Sequence, residues 1–288
     1  MQYEQIKRLK QNFAFWVLRI FTFSVLIILF VILGFIIKRG IGVISWEFLT
    51  EMPKEGMTQG GIFPAIIGTL ILVLGSMLLA FPIGIMSGIY MNEYVKDGWF
   101  KRFMSIMTNN LSGIPSIVFG LFGMEFFVNE LEWGDSILAG SFTLGLLALP
   151  VVIRITEESL KAVSNTFREA SMALGASKLQ TTYKVVLPIA MPNIVTGLIL
   201  SLSRVSGETA PILFTVAAYF LPKLPSSAFD QVMALPYHLY VISTSGTNIE
   251  ASRPMAYGTA LVLILIVLFF NLMANALRKS LGKKVKMN

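Results

Sequence analysis

The sequence predicts an all-α integral membrane protein with six transmembrane helices and both termini in the cytoplasm. Three observations predict it. The chain of 288 residues is 55% hydrophobic and only 14% charged, with mean hydropathy +0.72, whereas soluble domains carry about a quarter charged residues. Apolar runs of spanning length recur along it, which a soluble enzyme with one large core would not show. Basic residues gather on alternate connections.

A helix needs about 20 mostly apolar residues to cross the hydrocarbon core. The first run, 16–37 (WVLRIFTFSVLIILFVILGFII), is too long for a secretion signal and is followed by KRG rather than a small-residue cleavage site. It is expected to stay as an anchor. With the outer loop 38–60 it forms an amino-terminal unit, 1–60. The second run, 62–91, opens the main unit, 61–278. The third is 103–128, the fourth 136–153, the fifth 190–217 and the sixth 255–277. A basic cytoplasmic tail, 279–288, closes the chain.

With the amino terminus inside, the inner segments hold Lys7, Arg8, Lys10, Arg19, Lys96, Lys101, Arg102, Arg154, Lys161, Arg168, Lys178 and Lys184, then Arg278, Lys279, Lys283, Lys284 and Lys286. Only Lys38, Arg39, Lys54, Lys223 and Arg253 fall outside, and the outer loop NELEWGD (129–135) is acidic. This is the positive-inside asymmetry. It explains the net charge of +7 without nucleic acid as a partner; the partner surface is membrane lipid. Zero cysteines remove disulfides and thiolate metal or redox sites. The single histidine, His238, lies in the external connection without companions, so no metal site is expected.

Two connections are long, 154–189 inside and 218–254 outside, and long ordered loops are usually functional. The inner one reads as two short helices. Thr166-Phe-Arg-Glu169 has the spacing of a capping box, the first helix stops at Gly175, and Ser177-Lys-Leu-Gln180 offers a second box before a helix ending ahead of Leu187-Pro188. From composition, this hairpin either receives another protein surface or lies on the headgroups. The outer connection, with LPKLP and DQVMALPYHLYVIST, reads as a partly inserted helix that gates the pathway and docks a partner.

Arg204 and Glu208 stand four apart in the otherwise apolar fifth run (SRVSGETAP, 203–211). A mid-membrane Arg costs about 2.5–3.5 kcal/mol on insertion scales and usually faces a cavity or a partner. At 100° per residue Gly197, Ser201, Arg204, Glu208 and Thr215 share a face, opposite Leu198, Leu202, Val205 and Leu213. Two readings stand: Ser201, Arg204, Glu208 and Thr215 line a substrate pathway, or the ion pair only locks helix packing. In the first, Arg204 offers donors to an oxyanion and Glu208 keeps it from binding too tightly. A third has Glu208 moving protons in a gradient-driven carrier. Asn109, Asn110, Ser112 and Ser116, around Gly113, are expected to hydrogen-bond between helices.

EASMALGASKLQTTYKVVLP (169–188) resembles the cytoplasmic signature of ABC importer permeases, with Glu169, Ala170, Gly175, Leu187 and Pro188 on its fixed positions. Ser171 replaces an Ala and Val185 an Ile. LSGIPSIVFGLFG (111–123), SRVSGETAPILFT (203–215) and MALPYHLY (233–240) resemble the phosphate-specific branch, and GETAP fits its PstA-type subunit. The resemblance implies a type I ABC importer permease fold in a bacterial or archaeal plasma membrane. It also implies a homologous PstC-type permease, two ATPase subunits and an extracytoplasmic phosphate-binding protein as partners. Glu169, Ala170, Ser171, Gly175, Leu187 and Pro188 would then form the element that couples to the ATPase. No G-x-x-x-x-G-K-[ST] loop occurs. The chain is therefore expected to be non-catalytic and to bind no cofactor, with ATP used by the partner ATPase. Molybdate or sulfate in place of phosphate, and less favourably a secondary carrier, are the alternatives.

Overall fold

The computed structural model describes residues 2–245 and 249–287. The end of the expected tail 279–288, Asn288, and residues 246–248 of the expected outer connection lie outside the described residues, as do the side chains of Lys283, Lys284 and Lys286. In chain order the helices are α1 (Gln2–Gly40), α2 (Trp46–Thr50), α3 (Phe63–Ile89), α4 (Trp99–Gly113), α5 (Ser116–Gly123) and α6 (Ile137–Lys161). Then come α7 (Asn165–Ala173), α8 (Lys178–Thr181), α9 (Leu187–Val205), α10 (Ala210–Leu213), α11 (Leu235–Thr244) and α12 (Ile249–Met287). A two-strand ribbon, Pro53–Lys54 against Gln59–Gly60, sits between α2 and α3.

Five stretches are long and apolar enough to cross a membrane: Lys10–Gly40, Phe63–Tyr94, Ile137–Lys161, Lys178–Val205 and Ile249–Ser280. The expected third span, 103–128, differs. It is broken into α4 and α5–Glu130, bent by 95°, and gives a sixth crossing only when both halves serve as one span. The reason lies at Ile114-Pro115. Proline disfavours helical backbone in the residue before it, and Ile114 takes ψ 134 while Pro115 takes ψ 138. The fourth run continues as helix well past Ile153, to Lys161.

The core is the seam between α3 and α6, closed by α9 and α12. Leu72, Val73, Met77, Leu144, Val152, Val186, Ile194 and Phe270 are buried in it together. Glycines bring the α3 and α6 backbones close. A Cβ on Gly84 would lie 2.5 Å from Val152 Cγ1, and one on Gly88 2.6 Å from Thr156 Cβ. Small residues at helix crossings allow the dispersion contacts that hold membrane helices together.

A second cluster packs α2 and α11 against α3 and α12 through Phe48, Met57, Met233, Leu235, Val241 and Val262. The Thr69 hydroxyl oxygen of α3 accepts the Leu235 N–H at 2.8 Å and so caps α11. His238, expected in an external loop, is fully packed in α11 at 2% exposure. By contrast α1 leans on α12 near its carboxy-terminal end, where Phe35 meets Tyr257 edge to face at 5.6 Å. Most of the rest of its described apolar surface, including Trp16, Phe21 and Phe30, is exposed.

Candidate functional site: the end of α9 and the 165–181 hairpin

The fifth run does not continue as one helix to residue 217. Ser206 hydroxyl donates to the Leu202 carbonyl at 2.8 Å, Gly207 N–H to Arg204 O at 3.1 Å and Glu208 N–H to Val205 O at 3.1 Å. This tightened turn ends α9 at Val205, and the chain restarts in the one-turn α10, with Pro211 near its start. The expected single face is thereby split. Gly197 is buried against Ile155, Ser201 is buried, and Thr215 lies beyond the break, buried, with its hydroxyl on Pro211 O at 2.8 Å. Leu198, Leu202 and Val205, assigned to the opposite side, are core residues.

Beyond Pro188 at its start, what remains open on α9 is a stripe of Asn193, Leu200 and Arg204. Arg204 and Glu208 do pair, but loosely: Nε to Oε1 is 3.8 Å, with side chains 57% and 16% exposed. That distance is outside hydrogen-bond range. The guanidinium faces a mostly buried carboxylate at one edge, and its forked end has no hydrogen bond among the described residues, which leaves donors that could meet an anion. A pin that existed only to lock packing would be buried and tightly bonded.

The two stretches singled out in the sequence meet here. A Cβ on Gly120 of α5 would lie 2.8 Å from Ala210 O and 3.1 Å from Pro211 Cα, so α5 approaches α10 at backbone distance. Ser112 departs from expectation, bonding back to Thr108 O of its own helix at 3.0 Å.

The hairpin lies at the opposite end of α9. Its first helix, α7, is capped by Ser164, whose Oγ accepts the Thr166 N–H at 3.3 Å, so the expected Thr166–Glu169 box is not the cap. The helix closes as expected at Gly175, with φ +86. Ala176 N–H reaches Ser171 O at 3.2 Å and Gly175 N–H reaches Met172 O at 3.0 Å, the pair of bonds that defines a Schellman stop. The second box forms in full, with Ser177 and Gln180 bonding reciprocally at 2.9 and 3.2 Å.

The second short helix does not stop ahead of Leu187-Pro188. It runs on into α9 through a wide π turn, Thr182–Val186, in which Leu187 N–H bonds to Thr182 O. Proline lacks the amide to continue an α ladder, and the extra residue in the turn absorbs that gap. Glu169, Ala170 and Gly175 are exposed, with Leu174 beside them 90% exposed. Ser171 turns inward to Thr181 Oγ1 at 2.9 Å, Leu187 is half-buried and Pro188 exposed.

One pair has no signal in the sequence. Arg168 binds Glu93 at the carboxy-terminal end of the second span with two bonds, Nη2 to Oε1 at 2.7 Å and Nε to Oε2 at 3.1 Å. It also donates to Val163 O at 2.7 Å and Leu160 O at 2.9 Å, at the end of α6. The partners stand 75 positions apart, and no spacing rule joins them.

Together these features define the inner-membrane component of a transporter: a helical bundle with a broken span, an open cationic helix end and a structured hairpin. The match to a family model is direct. Residues 80–287 fit the binding-protein-dependent transport system inner membrane component family, and the chain belongs to it.

Among similar sequences is the probable ABC transporter permease protein YqgI of Bacillus subtilis, 34% identical over 88% of this chain and 90% of that protein. The phosphate transport system permease protein PstA of Mycobacterium leprae is 37% identical over 94% of this chain and 90% of its own length. Among solved structures, a bacterial alginate ABC transporter in complex with its pentasaccharide-bound periplasmic protein superposes with TM-score 0.68 at 16% identity, covering 98% of each chain. The inward-facing MetNI methionine ABC transporter superposes with TM-score 0.60 at 19% identity, over 76% of this chain and 97% of that one.

Proposed function

We propose that this chain is the permease subunit of an ATP-driven importer that moves inorganic phosphate across the plasma membrane by alternating access. The observation that carries the proposal is the likeness to PstA proteins over nearly the whole chain, 37% identical across 94% of it in one case. Its partners are a homologous PstC-type permease, two ATPase subunits and an extracytoplasmic phosphate-binding protein. ATP is bound and hydrolysed by the ATPase subunits, and this chain holds no cofactor.

The site geometry supports the reading at both ends. A guanidinium presents parallel donors matched to two oxygens of an oxyanion. Arg204 is half-released toward the uncovered side of α9 and half-held by Glu208, which suits a site that must let its cargo go. Ser201 and Thr215, buried on either side of the break, support the wall rather than touch the cargo. At the inner end, exposed Ala170, Leu174 and Gly175 form a small apolar projection that an ATPase groove can receive, and Glu169 flanks it. Closing and opening of that partner would rock the spans as bodies. A gradient-driven carrier would have no use for this projection.

The test is reconstitution of the purified complex in vesicles, following phosphate uptake and ATP hydrolysis with the binding protein outside. Uptake that requires ATP, and that excess sulfate or molybdate leaves unchanged, supports the proposal. Uptake that follows an ion gradient without ATP, or that prefers another oxyanion, contradicts it.

A further inference from the structure

We propose that Arg168 is a positioning residue that makes the cytoplasmic hairpin one rigid body with the second and fourth spans, so that motion of the hairpin reaches α3 and α6 directly. This rests on the transporter reading above and adds the route by which force enters the bundle.

By sequence the hairpin is joined to α6 through the short link 162–164 and to α9 through the π turn. A two-point attachment through backbone alone would act as a hinge. Arg168 prevents that. Its guanidinium spends one edge on both oxygens of Glu93 at the end of the second span. The remaining donors go to the Leu160 and Val163 carbonyls at the end of α6 and to Asn165 Oδ1 of α7 at 3.3 Å. The side chains are only 15% and 6% exposed. Asn92 donates to the same carboxylate oxygen, Nδ2 to Oε1 at 2.7 Å. A planar, fully bonded fork in a sheltered site has one geometry, unlike a solvated surface pair.

Two lesser ties brace the second arm. Ser171 bonds Thr181 across the hairpin at 2.9 Å, and the Lys178 ammonium stands 5.4 Å from the centre of the Tyr94 ring. The second, fourth and fifth spans therefore share one clamp at their inner ends. A push on the hairpin then displaces the α3–α6–α9 seam as a unit, and Arg204 rides at the outer end of α9.

Removing one member of a sheltered ion pair leaves the other charge without compensation and is far more damaging than removing both. The experiment compares Arg168→Gln, Glu93→Gln and the double variant with the unmutated complex, reconstituted with ATPase and binding protein. It reads basal ATPase, ATPase stimulated by phosphate-loaded binding protein, and phosphate moved per ATP. Expected is about a tenfold loss of stimulation and of phosphate moved per ATP in Arg168→Gln, with ATPase still bound and basal turnover kept. The double variant should be no worse than Arg168→Gln.

Wild-type stimulation in Arg168→Gln overturns the inference. So does loss of the bound ATPase from both Arg168→Gln and the milder Glu93→Gln, because the pair would then serve folding or docking alone. If the unmutated complex imports no phosphate with ATP, the transporter reading itself fails, and this inference falls with it.

Discussion

Arg204 Nε and Glu208 Oε1 face each other at 3.8 Å across the turn that ends α9, the guanidinium 57% exposed and the carboxylate 16%. The base precedes the acid, the less favourable order on a helix. The helix has also already stopped at Val205, so the pairing depends on the Ser206–Gly207 turn and not on helical periodicity. An exposed pair of this kind contributes about 0.2–1 kcal/mol, enough to temper an anion site without cancelling it.

Glu208→Gln should therefore release Arg204. We expect phosphate to be held tighter and released more slowly, lowering both the half-saturation concentration and the maximal uptake rate by about two- to fivefold. Initial-rate uptake across a phosphate series in reconstituted vesicles measures both. A rise in maximal rate would contradict the proposed braking role.

The close approach of α3 and α6 at Gly88 should not tolerate a methyl group. A Cβ there would meet Thr156 Cβ at 2.6 Å and Ile153 O at 2.9 Å, both on the facing helix. Gly88→Ala should destabilise the bundle by about 1–3 kcal/mol, as overpacking does. Thermal unfolding of the purified chain in detergent would register this as a lowered midpoint. Gly34→Ala, where nothing lies within 4 Å, is the control.

At Gly175 the penalty comes from backbone alone. Its φ is +86 and nothing surrounds its Cβ position within 4 Å, so Gly175→Ala adds strain of about 1–2 kcal/mol with no clash. The two bonds of the Schellman stop should weaken. Hydrogen exchange at the Gly175 and Ala176 amides is expected to quicken by roughly five- to thirtyfold, using 1.4 kcal/mol per tenfold. Unchanged exchange would mean that the hairpin is held by its partner surfaces and not by its cap.

His238 links stability to pH. Burial in α11, outside the five spanning helices, pushes its pKa from 6.5 down to about 4. Its Nδ1 has no hydrogen-bond partner among the described residues. The folded state therefore binds this proton more weakly than the unfolded state. Stability from the neutral imidazole is complete above pH 6.5 and is lost as pH falls from 6.5 toward 4, by up to about 3 kcal/mol. Unfolding midpoints in detergent should drop over that window, and His238→Phe should remove this component of the drop. An equal drop in that variant would refute it.

Much of this is legible in the sequence because hydrophobic runs report membrane depth directly. The 16–37 and 255–277 runs fall within spanning helices, as does 62–91 apart from Ile62, and the Ser177–Gln180 box and the Gly175 stop form as their local rules require. Sequence and structure part where one local rule competes with another. Thr166 and Glu169 have capping-box spacing, yet Ser164 two positions earlier takes the cap. Pro188 reads as a stop, but a π turn carries the helix through it. The apolar run 103–128 reads straight through Ile114-Pro115, although proline restricts its predecessor, and the chain bends there by 95°. Helical periodicity over 197–215 crosses a turn that Ser206, Gly207 and Pro211 together impose, which splits the expected face. The Arg168–Glu93 contact is out of reach for a different reason. It joins a charge that counts singly as a topology signal to one that carries no signal, and only tertiary packing brings them together.

The most direct measurement is ATP-driven phosphate uptake by vesicles holding the complete complex with Arg204→Gln, assembly being checked by the ATPase that co-purifies. Charge-assisted hydrogen bonds are worth about 1.5–3 kcal/mol, so uptake should fall at least about tenfold while the complex stays whole. Uptake at the unmutated rate in an intact complex would contradict a pathway that passes Arg204.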